Sequence, residues 1–363
     1  MRIRTITAWY LRNERWISSL SLVGGFIFDI FALKRIDLFW ENLWVGAHLG
    51  VAALGILLIN LHENKKHKLS PKFSRIIHFW LIITIQFAFG GLLSTFLVFY
   101  FRSGTLSASW PFLLFLAIVF VLNELLKHHY TRLIFQTSVL YISIYSFAIF
   151  IVPVIVHQFG AAIFILSGLF SLAALGFFLF LLQFVARERY KQSRWPLFGT
   201  IAGITLLINV LYFTNLIPPI PLSLKDAGVY HSIVHTADGN YEVTGEQKSF
   251  WSFFQPYETF HEISGQPVYV FSSIFSPNGL STQVIHEWQH YDETTKKWVI
   301  MNQTELSIVG GREGGFRTYS IKIVNIPGLW RVEVKTPQGQ HIGRIKFNIV
   351  NVGVTPDLVT TNL

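Results

Sequence analysis

Leu206-Leu-Ile-Asn-Val-Leu-Tyr-Phe-Thr-Asn-Leu-Ile-Pro-Pro-Ile-Pro-Leu-Ser223 marks the point at which the chain passes from one folding regime to another. Before it, long apolar runs follow one another. At Ile217-Pro-Pro-Ile-Pro221 three prolines remove backbone donors and hold an extended conformation, so no helix continues through them. After it, apolar and polar residues alternate with period two in short runs separated by turn residues, which is the pattern of strands.

Working back from the junction, seven stretches are apolar enough to be read as spans: Trp16–Leu33, Leu38–Leu61, Ile76–Phe101, Trp110–Leu126, Leu133–Val156, Gly160–Ala186 and Trp195–Ile217. A helix needs about 20 apolar residues to cross a bilayer, so the first and fourth are the shortest candidates. Trp16, Trp40, Trp44, Tyr100, Trp110, Trp195 and Tyr212 stand near span ends, as an aromatic belt requires. Composition agrees. The chain of 363 residues is 52% hydrophobic and 13% charged, about half the charged share of a soluble domain.

The net charge of +9 is made of +11 up to Ile217 and −2 beyond it. The N-terminus, Glu63–Arg75, Lys127–Arg132 and Arg187–Arg194 together hold 15 Lys and Arg, whereas the alternate connections Lys34–Asp37, Arg102–Ser109 and His157–Phe159 hold 3. Basic residues stay in the cytoplasm. This predicts an inner-membrane protein with a cytoplasmic N-terminus and, after seven spans, a periplasmic C-terminal domain. Basic charge placed in connections between spans is no nucleic-acid surface, and no nucleic-acid partner is expected. Gly46-x3-Gly50 and Gly199-x3-Gly203 offer small-residue faces for self-association. With no cysteine in the chain, disulfides, thiolate metal sites and cysteine nucleophiles are excluded.

Beyond the junction, strands are predicted over Val229–Thr236, Tyr241–Gly245, Val268–Phe275, Thr282–Tyr291, Trp298–Met301, Glu305–Val309, Phe316–Val324, Trp330–Thr336 and His341–Val350. The last two can be paired explicitly through the turn Pro337-Gln-Gly-Gln340. Trp330 then faces Phe347 and Val332 faces Ile345, while Glu333 and Arg331 meet Arg344 and Lys346 on the other side. A one-residue slip would exchange the two faces. The expected organisation is a helical membrane domain (residues 1–217), a proline-rich stalk (218–228), an all-β immunoglobulin-like sandwich (229–350) and a tail (351–363).

Gln283-Val-Ile-His-Glu-Trp288, Gly315-Phe-Arg-Thr-Tyr-Ser320, Pro327-Gly-Leu-Trp-Arg-Val-Glu-Val334 and then Gly339, Gly343 and Phe347 form an ordered series. It resembles the uncharacterised bacterial domain family numbered 2914. Ile217-Pro-Pro-Ile-Pro-Leu-Ser223 and Gly228-Val-Tyr-His231 resemble multi-pass members of that group, and the resemblance covers most of Pro218–Val350. It implies a bacterial envelope location and carries no activity. One departure is Phe316, where family members often have Trp.

Candidate site residues follow from side-chain type and face. His286, Trp288 and His290 alternate on one strand. A metal would want converging donors, and Val284, His286 and Trp288 read instead as an inward row with a hydrogen-bonded histidine. Arg317 shares a face with Tyr319, Ile321 and Ile323 and needs a partner, either Glu287, Glu305 or Glu313 or an anionic ligand. The aromatic segment Phe250–His261, with Trp251, Phe254 and Tyr257, reads as a cover over the sandwich, a membrane-surface contact or a stacking platform. Arg331 completes the binding candidates. In the membrane half, Asp29, Asp37, Glu41 and His48 fall near the outer ends of the first two spans, either as headgroup-level charges or as a polar site. Asn123, Glu124, His128 and His129 read as boundary residues. Pro153 is a candidate kink.

No phosphate loop, nucleophile elbow or zinc-protease motif is present, so no catalytic residue, metal or cofactor is expected. The leading expectation is an envelope protein whose outer sandwich binds a protein or glycan, with the helical half as bilayer anchor or complex subunit. The alternative is an embedded enzyme or carrier for lipid-linked substrates. A sensor is disfavoured because its longest cytoplasmic connection is too short to form an output domain.

Overall fold

The structure, a computed structural model, describes residues 23–33, 37–65, 70–103, 106–125, 132–236, 240–247, 257–263, 265–312, 314–354 and 357–363. The chain divides into two units. One holds the helical residues up to Leu216 except Arg102–Ser109, which group with the other, Ile217–Leu363.

The helical unit contains seven helices among the described residues: α1 (Val23–Ala32), α2 (Phe39–Lys65), α3 (Pro71–Ser103), α4 (Leu106–Leu125), α5 (Leu133–Val156), α6 (Ala161–Val185) and α7 (Arg187–Phe213). α2, α3, α5, α6 and α7 are long and apolar enough to cross a membrane. The apolar parts of α1 and α4 are shorter, Val23–Ala32 and Ser109–Asn123. The N-terminal part of the predicted first span lies outside the described residues. α7 starts eight residues before the predicted Trp195, because its first turns are charged and invisible to a hydropathy reading.

α5 is the central element, packed by α2, α6 and α7. Its polar side chains find partners inside the bundle. Asn60 donates to Gln136 Oε1 at 2.9 Å and accepts from Arg189 Nη1 at 3.0 Å, joining α2, α5 and α7. Tyr141 and Thr205 hydroxyls lie 2.6 Å apart, and Asn209 donates to the Tyr145 hydroxyl at 3.2 Å. Phe164 stacks flat on Tyr212 at 3.7 Å, fastening α6 to α7. Around this interior, Leu54, Phe87, Leu169, Phe177, Phe184 and Leu206 are exposed. Apolar surface on that scale is what lipid solvates.

Local chemistry sets the helix ends. His157 at φ 55° closes α5 and Gly160 at φ 117° opens α6, so the chain reverses within four residues. Pro153 falls in the last turns of α5, and the helix runs on to Val156. α7 stops where Asn215 takes φ 58° and Leu216 N–H bonds back to the Leu211 carbonyl. Gly55 matters for packing, since a Cβ there would lie 2.6 Å from Ile85 Cγ1. Gly46, Gly50, Gly199 and Gly203 have nothing within 4 Å of that position.

The second unit holds eleven strands among the described residues: β1 (Ser223–Tyr230), β2 (Ser232–His235), β3 (Tyr241–Glu246), β4 (Glu258–Glu262), β5 (Pro267–Phe275), β6 (Ser281–Asp292), β7 (Lys297–Val309), β8 (Phe316–Ile323), β9 (Gly328–Lys335), β10 (His341–Asn351) and β11 (Leu358–Asn362). They form a five-stranded sheet β4-β10-β9-β6-β7, a three-stranded sheet β1-β5-β8 and a small sheet β11-β3-β2. All pairings are antiparallel except β10 with β4.

The predicted hairpin register is observed pair for pair: Trp330 with Phe347, Val332 with Ile345, Arg331 with Lys346 and Glu333 with Arg344. Other elements differ from expectation. β1 begins at Ser223, inside the segment read as a stalk, because one side of it pairs with β5. β7 is one strand of 13 residues rather than two. Asn302-Gln303-Thr304 pair regularly with β6, and the register shift at Trp288/Gln289 passes over Met301. β11, predicted as tail, is exposed along its whole length and is held by β3.

The core lies between the five-stranded and first three-stranded sheets, with Trp288, Trp330, Val332, Phe347, Val268 and Val270 fully buried. Trp288 meets Phe347 and Trp330 edge-on at 6.0 and 6.5 Å. A second small core, Ile233, Val243 and Phe271, joins the small sheet to the opposite face of β5.

Candidate functional site

His286 is fully buried in the β core. Its Nε2 lies 2.8 Å from Ser272 Oγ on β5, and its Nδ1 lies 2.9 Å from Ser320 Oγ on β8. Trp288 Nε1 donates to the same Ser320 oxygen at 3.0 Å. The ring is therefore satisfied in its neutral form, and burial pushes its pKa down to about 4. His286 and Trp288 tie the two layers together and offer no face to a ligand. His290 lies apart, against Trp330 and the Pro327 carbonyl.

The outward face of the same sheet carries the chemistry. Period two puts Glu287 and Gln289 of β6, Arg331, Glu333 and Lys335 of β9, and Arg344 and Lys346 of β10 on it. Register places Glu287 opposite Glu333 and Gln289 opposite Arg331. Two carboxylates side by side repel unless cations reach both, and here they do. Lys335 Nζ lies 2.5 Å from Glu287 Oε1, and Gln303 donates to Glu287 Oε2 at 2.7 Å. Gln289 also donates to Glu287. Glu333 takes Arg344 Nε at 2.5 Å, His341 Nδ1 at 3.0 Å and Arg331 Nε at 3.2 Å.

Burial alone would raise both carboxyls. For Glu287 the bonds from Lys335, Gln303 and Gln289 with the Lys335 charge outweigh it. For Glu333 the bonds and charges of His341 and Arg344 do so. Both stay ionised below the usual glutamate range. Aromatic rings flank the network: Arg331 lies over Trp298 at 4.3 Å and Lys346 over Tyr257 at 5.6 Å.

One edge of this sheet is β7, paired on one side by β6, with no pairing strand on the other among the described residues. Val299, Ile300 and Met301 are exposed on it, and Ile321 and Ile323 are exposed on β8, which packs beside it and ends the second sheet. An edge strand with exposed apolar side chains presents free backbone groups and a greasy surface together.

Arg317 is half-buried, and its described hydrogen bond goes to Asn240 Oδ1 at 3.2 Å. Glu287 and Glu305 are not paired with it among the described residues, and Glu313 lies outside them. Residues on β6 and β7 lie across the sandwich from the face β8 turns to the small sheet. Trp251 and Phe254 lie outside the described residues. Phe260, from the same aromatic stretch, is a core residue, and its ring stacks on His231 at 4.2 Å.

In the helical unit, Asp29 of α1 accepts from Ser94 Oγ of α3 at 2.5 Å and interacts electrostatically with His48 of α2. His48 Nδ1 donates to the Trp44 carbonyl at 2.9 Å, and its ring abuts Gly91. Glu41 stays outside this group, with no hydrogen bond or ion pair among the described residues.

Sequence reasoning missed two constellations. Glu246 of β3 bonds His231 Nε2 at 3.3 Å and His261 at its backbone N (2.6 Å) and Nδ1 (2.8 Å). Burial lowers the His231 pKa against the raising effect of Glu246. The second lies at the facing ends of α2 and α3, where His62, Glu63 and His78 gather. In both cases the partners are distant in the chain or on separate elements, and no motif links them.

Residues 281–349 match a family described as "Protein of unknown function (DUF2914)". The matched segment runs from the first residue of β6 into β10, so it contains the charged network and the β7 edge. No curated protein matches the chain. Among solved structures, β-glucosidase from Listeria innocua in complex with isofagomine aligns at 12% identity and a TM-score of 0.20, over 37% of this chain and 17% of that one. Its complex with glucose aligns at 11% identity and a TM-score of 0.20, over 36% and 16%. The Pseudomonas fluorescens alkylpurine DNA glycosylase AlkC bound to DNA containing an abasic site analog aligns at 9% identity and a TM-score of 0.22, over 85% and 98%. The chain thus spans about a sixth of the length of the β-glucosidases it matches.

Proposed function

We propose that this chain is a multi-pass protein of a bacterial inner membrane whose periplasmic β domain binds an envelope protein. In this reading seven transmembrane helices serve as the anchor, and the two large stacked sheets act as an immunoglobulin-like sandwich. The observation that carries it is β7: an edge strand of 13 residues with Val299, Ile300 and Met301 exposed. Strand addition supplies main-chain hydrogen bonds for affinity and lets alternate side chains set specificity. In the charged network behind it Glu287 and Glu333 are each held by several donors, which suits a rigid platform better than a reacting centre. A glycan is the other binding partner the face would suit, through Trp298 and Tyr257.

The test places a photo-crosslinking residue at Ile300 of the full chain in native membranes and, separately, at the exposed Thr294. A discrete adduct from position 300 that is absent from position 294 is expected. Ile300→Lys should abolish co-purification of the same partner at unchanged protein level. No adduct from any β7 position, together with retention on envelope glycans that Trp298→Ala abolishes, would replace the protein reading by the glycan one.

A second reading, an embedded enzyme or carrier, is favoured by the meeting of Asp29, Ser94 and His48 inside the helical unit. Buried ionisable groups at membrane depth are costly and mark sites. Asp29→Asn with His48→Gln should then abolish cellular function at unchanged protein level, and full function in the double variant would sink it.

A further inference from the structure

α2 and α3 are joined by the short connection between Lys65 and Pro71, so the end of one helix and the start of the next lie side by side. Three potential donors converge there: His62 and Glu63 on α2 and His78 on α3, each offering one ligand atom, all within 4.8 Å of one another. Glu63 Oε1 is 3.0 Å from His78 Nδ1, and the two imidazole centroids are 6.3 Å apart. We propose that His62, Glu63 and His78 form a binding site for a divalent transition-metal ion of the zinc type.

The donor set supports this class of ion. Tetrahedral zinc takes imidazole nitrogen at about 2.0–2.1 Å and carboxylate oxygen at about 2.0–2.2 Å, which puts ligand atoms about 3.3 Å apart. The Glu63–His78 pair stands at 3.0 Å and no pair of ligand atoms is more than 4.8 Å apart, so side-chain rotation would be needed to close the set around one ion. Ser74 Oγ on α3 lies 3.0 Å from His62 Nε2. A ligating histidine is commonly oriented in this way, by a hydrogen bond at one ring nitrogen that leaves the other for the metal.

Donor type also discriminates between ions. A hard cation such as magnesium or calcium, which prefers a shell of oxygen ligands, would find only one carboxylate in this set. Imidazole nitrogens favour zinc, nickel and copper over those ions. Two histidines and one carboxylate also leave a coordination position open. The bound ion would clamp α2 to α3 and keep a place for water or an exchangeable ligand.

The test uses the full chain, purified in detergent without a histidine tag, stripped with chelator and titrated with zinc and then cobalt. About one zinc per chain is expected, with visible cobalt absorption in the range of a tetrahedral site. His78→Ala and His62→Ala should each remove the cobalt band. Glu63→Gln, which keeps the side-chain shape, should weaken zinc binding at least tenfold while helicity and gel-filtration behaviour stay unchanged. Absence of stoichiometric zinc, or binding that all three variants leave intact, would overturn the site and leave a histidine–glutamate hydrogen bond in its place.

Discussion

Arg344 donates from Nε to Glu333 Oε1 at 2.5 Å, directly across the β9–β10 ladder, although the Glu333 side chain is only 1% exposed. Removing one partner of a buried ion pair costs far more than the pair contributes, because the other charge stays desolvated. Glu333→Ala leaves Arg331, His341 and Arg344 facing one another. It should destabilise the β domain by about 3–5 kcal/mol, read as a lower urea midpoint for the loss of β structure. Arg331→Ala should cost less, because Arg344 and His341 still hold the Glu333 carboxylate.

His286 gives the domain a predictable acid response. Its pKa falls from 6.5 to about 4 on folding, so between those values the unfolded chain binds the extra proton. Stability from this group is therefore full above about pH 6.5 and declines as the pH drops toward 4. The total is on the order of 3 kcal/mol. Urea midpoints measured from pH 7.5 to 4.5 should fall more steeply in the parent than in His286→Phe. Parallel slopes would contradict the assignment.

Gly310 is predicted to be intolerant of any side chain. A Cβ there would sit 1.8 Å from the Pro277 carbonyl oxygen and 2.8 Å from that of Leu280, both backbone atoms that cannot swing aside. Gly310→Ala should lower the thermal midpoint of the domain. Gly265→Ala, with nothing within 4 Å, should cost only its φ of 89°. A smaller loss at 310 than at 265 would count against the close approach.

The proposed orientation is testable because the chain has no cysteine of its own. Thr294→Cys should react with an impermeant maleimide in intact spheroplasts, and Gln192→Cys only after lysis. Labelling of both from the same side would refute the seven-span topology.

The sequence by itself determined the apolar lengths, the change of period at Ile217–Pro221 and the register of β9 with β10. These are local signals: hydropathy is summed over one segment, and a four-residue turn leaves a hairpin only one register that buries Trp330, Val332, Ile345 and Phe347 together. Only the tertiary structure decided which polar groups meet. Glu246 finds His261 across 15 residues, His62 finds Ser74 and His78 on another helix, and Asp29 finds Ser94 across 65. β11 shows the same limit, since its exposed residues carry no alternating pattern and β3 alone makes them a strand. A buried polar group needs a partner but does not name it, and the choice is made by the packing of elements that are far apart in the chain.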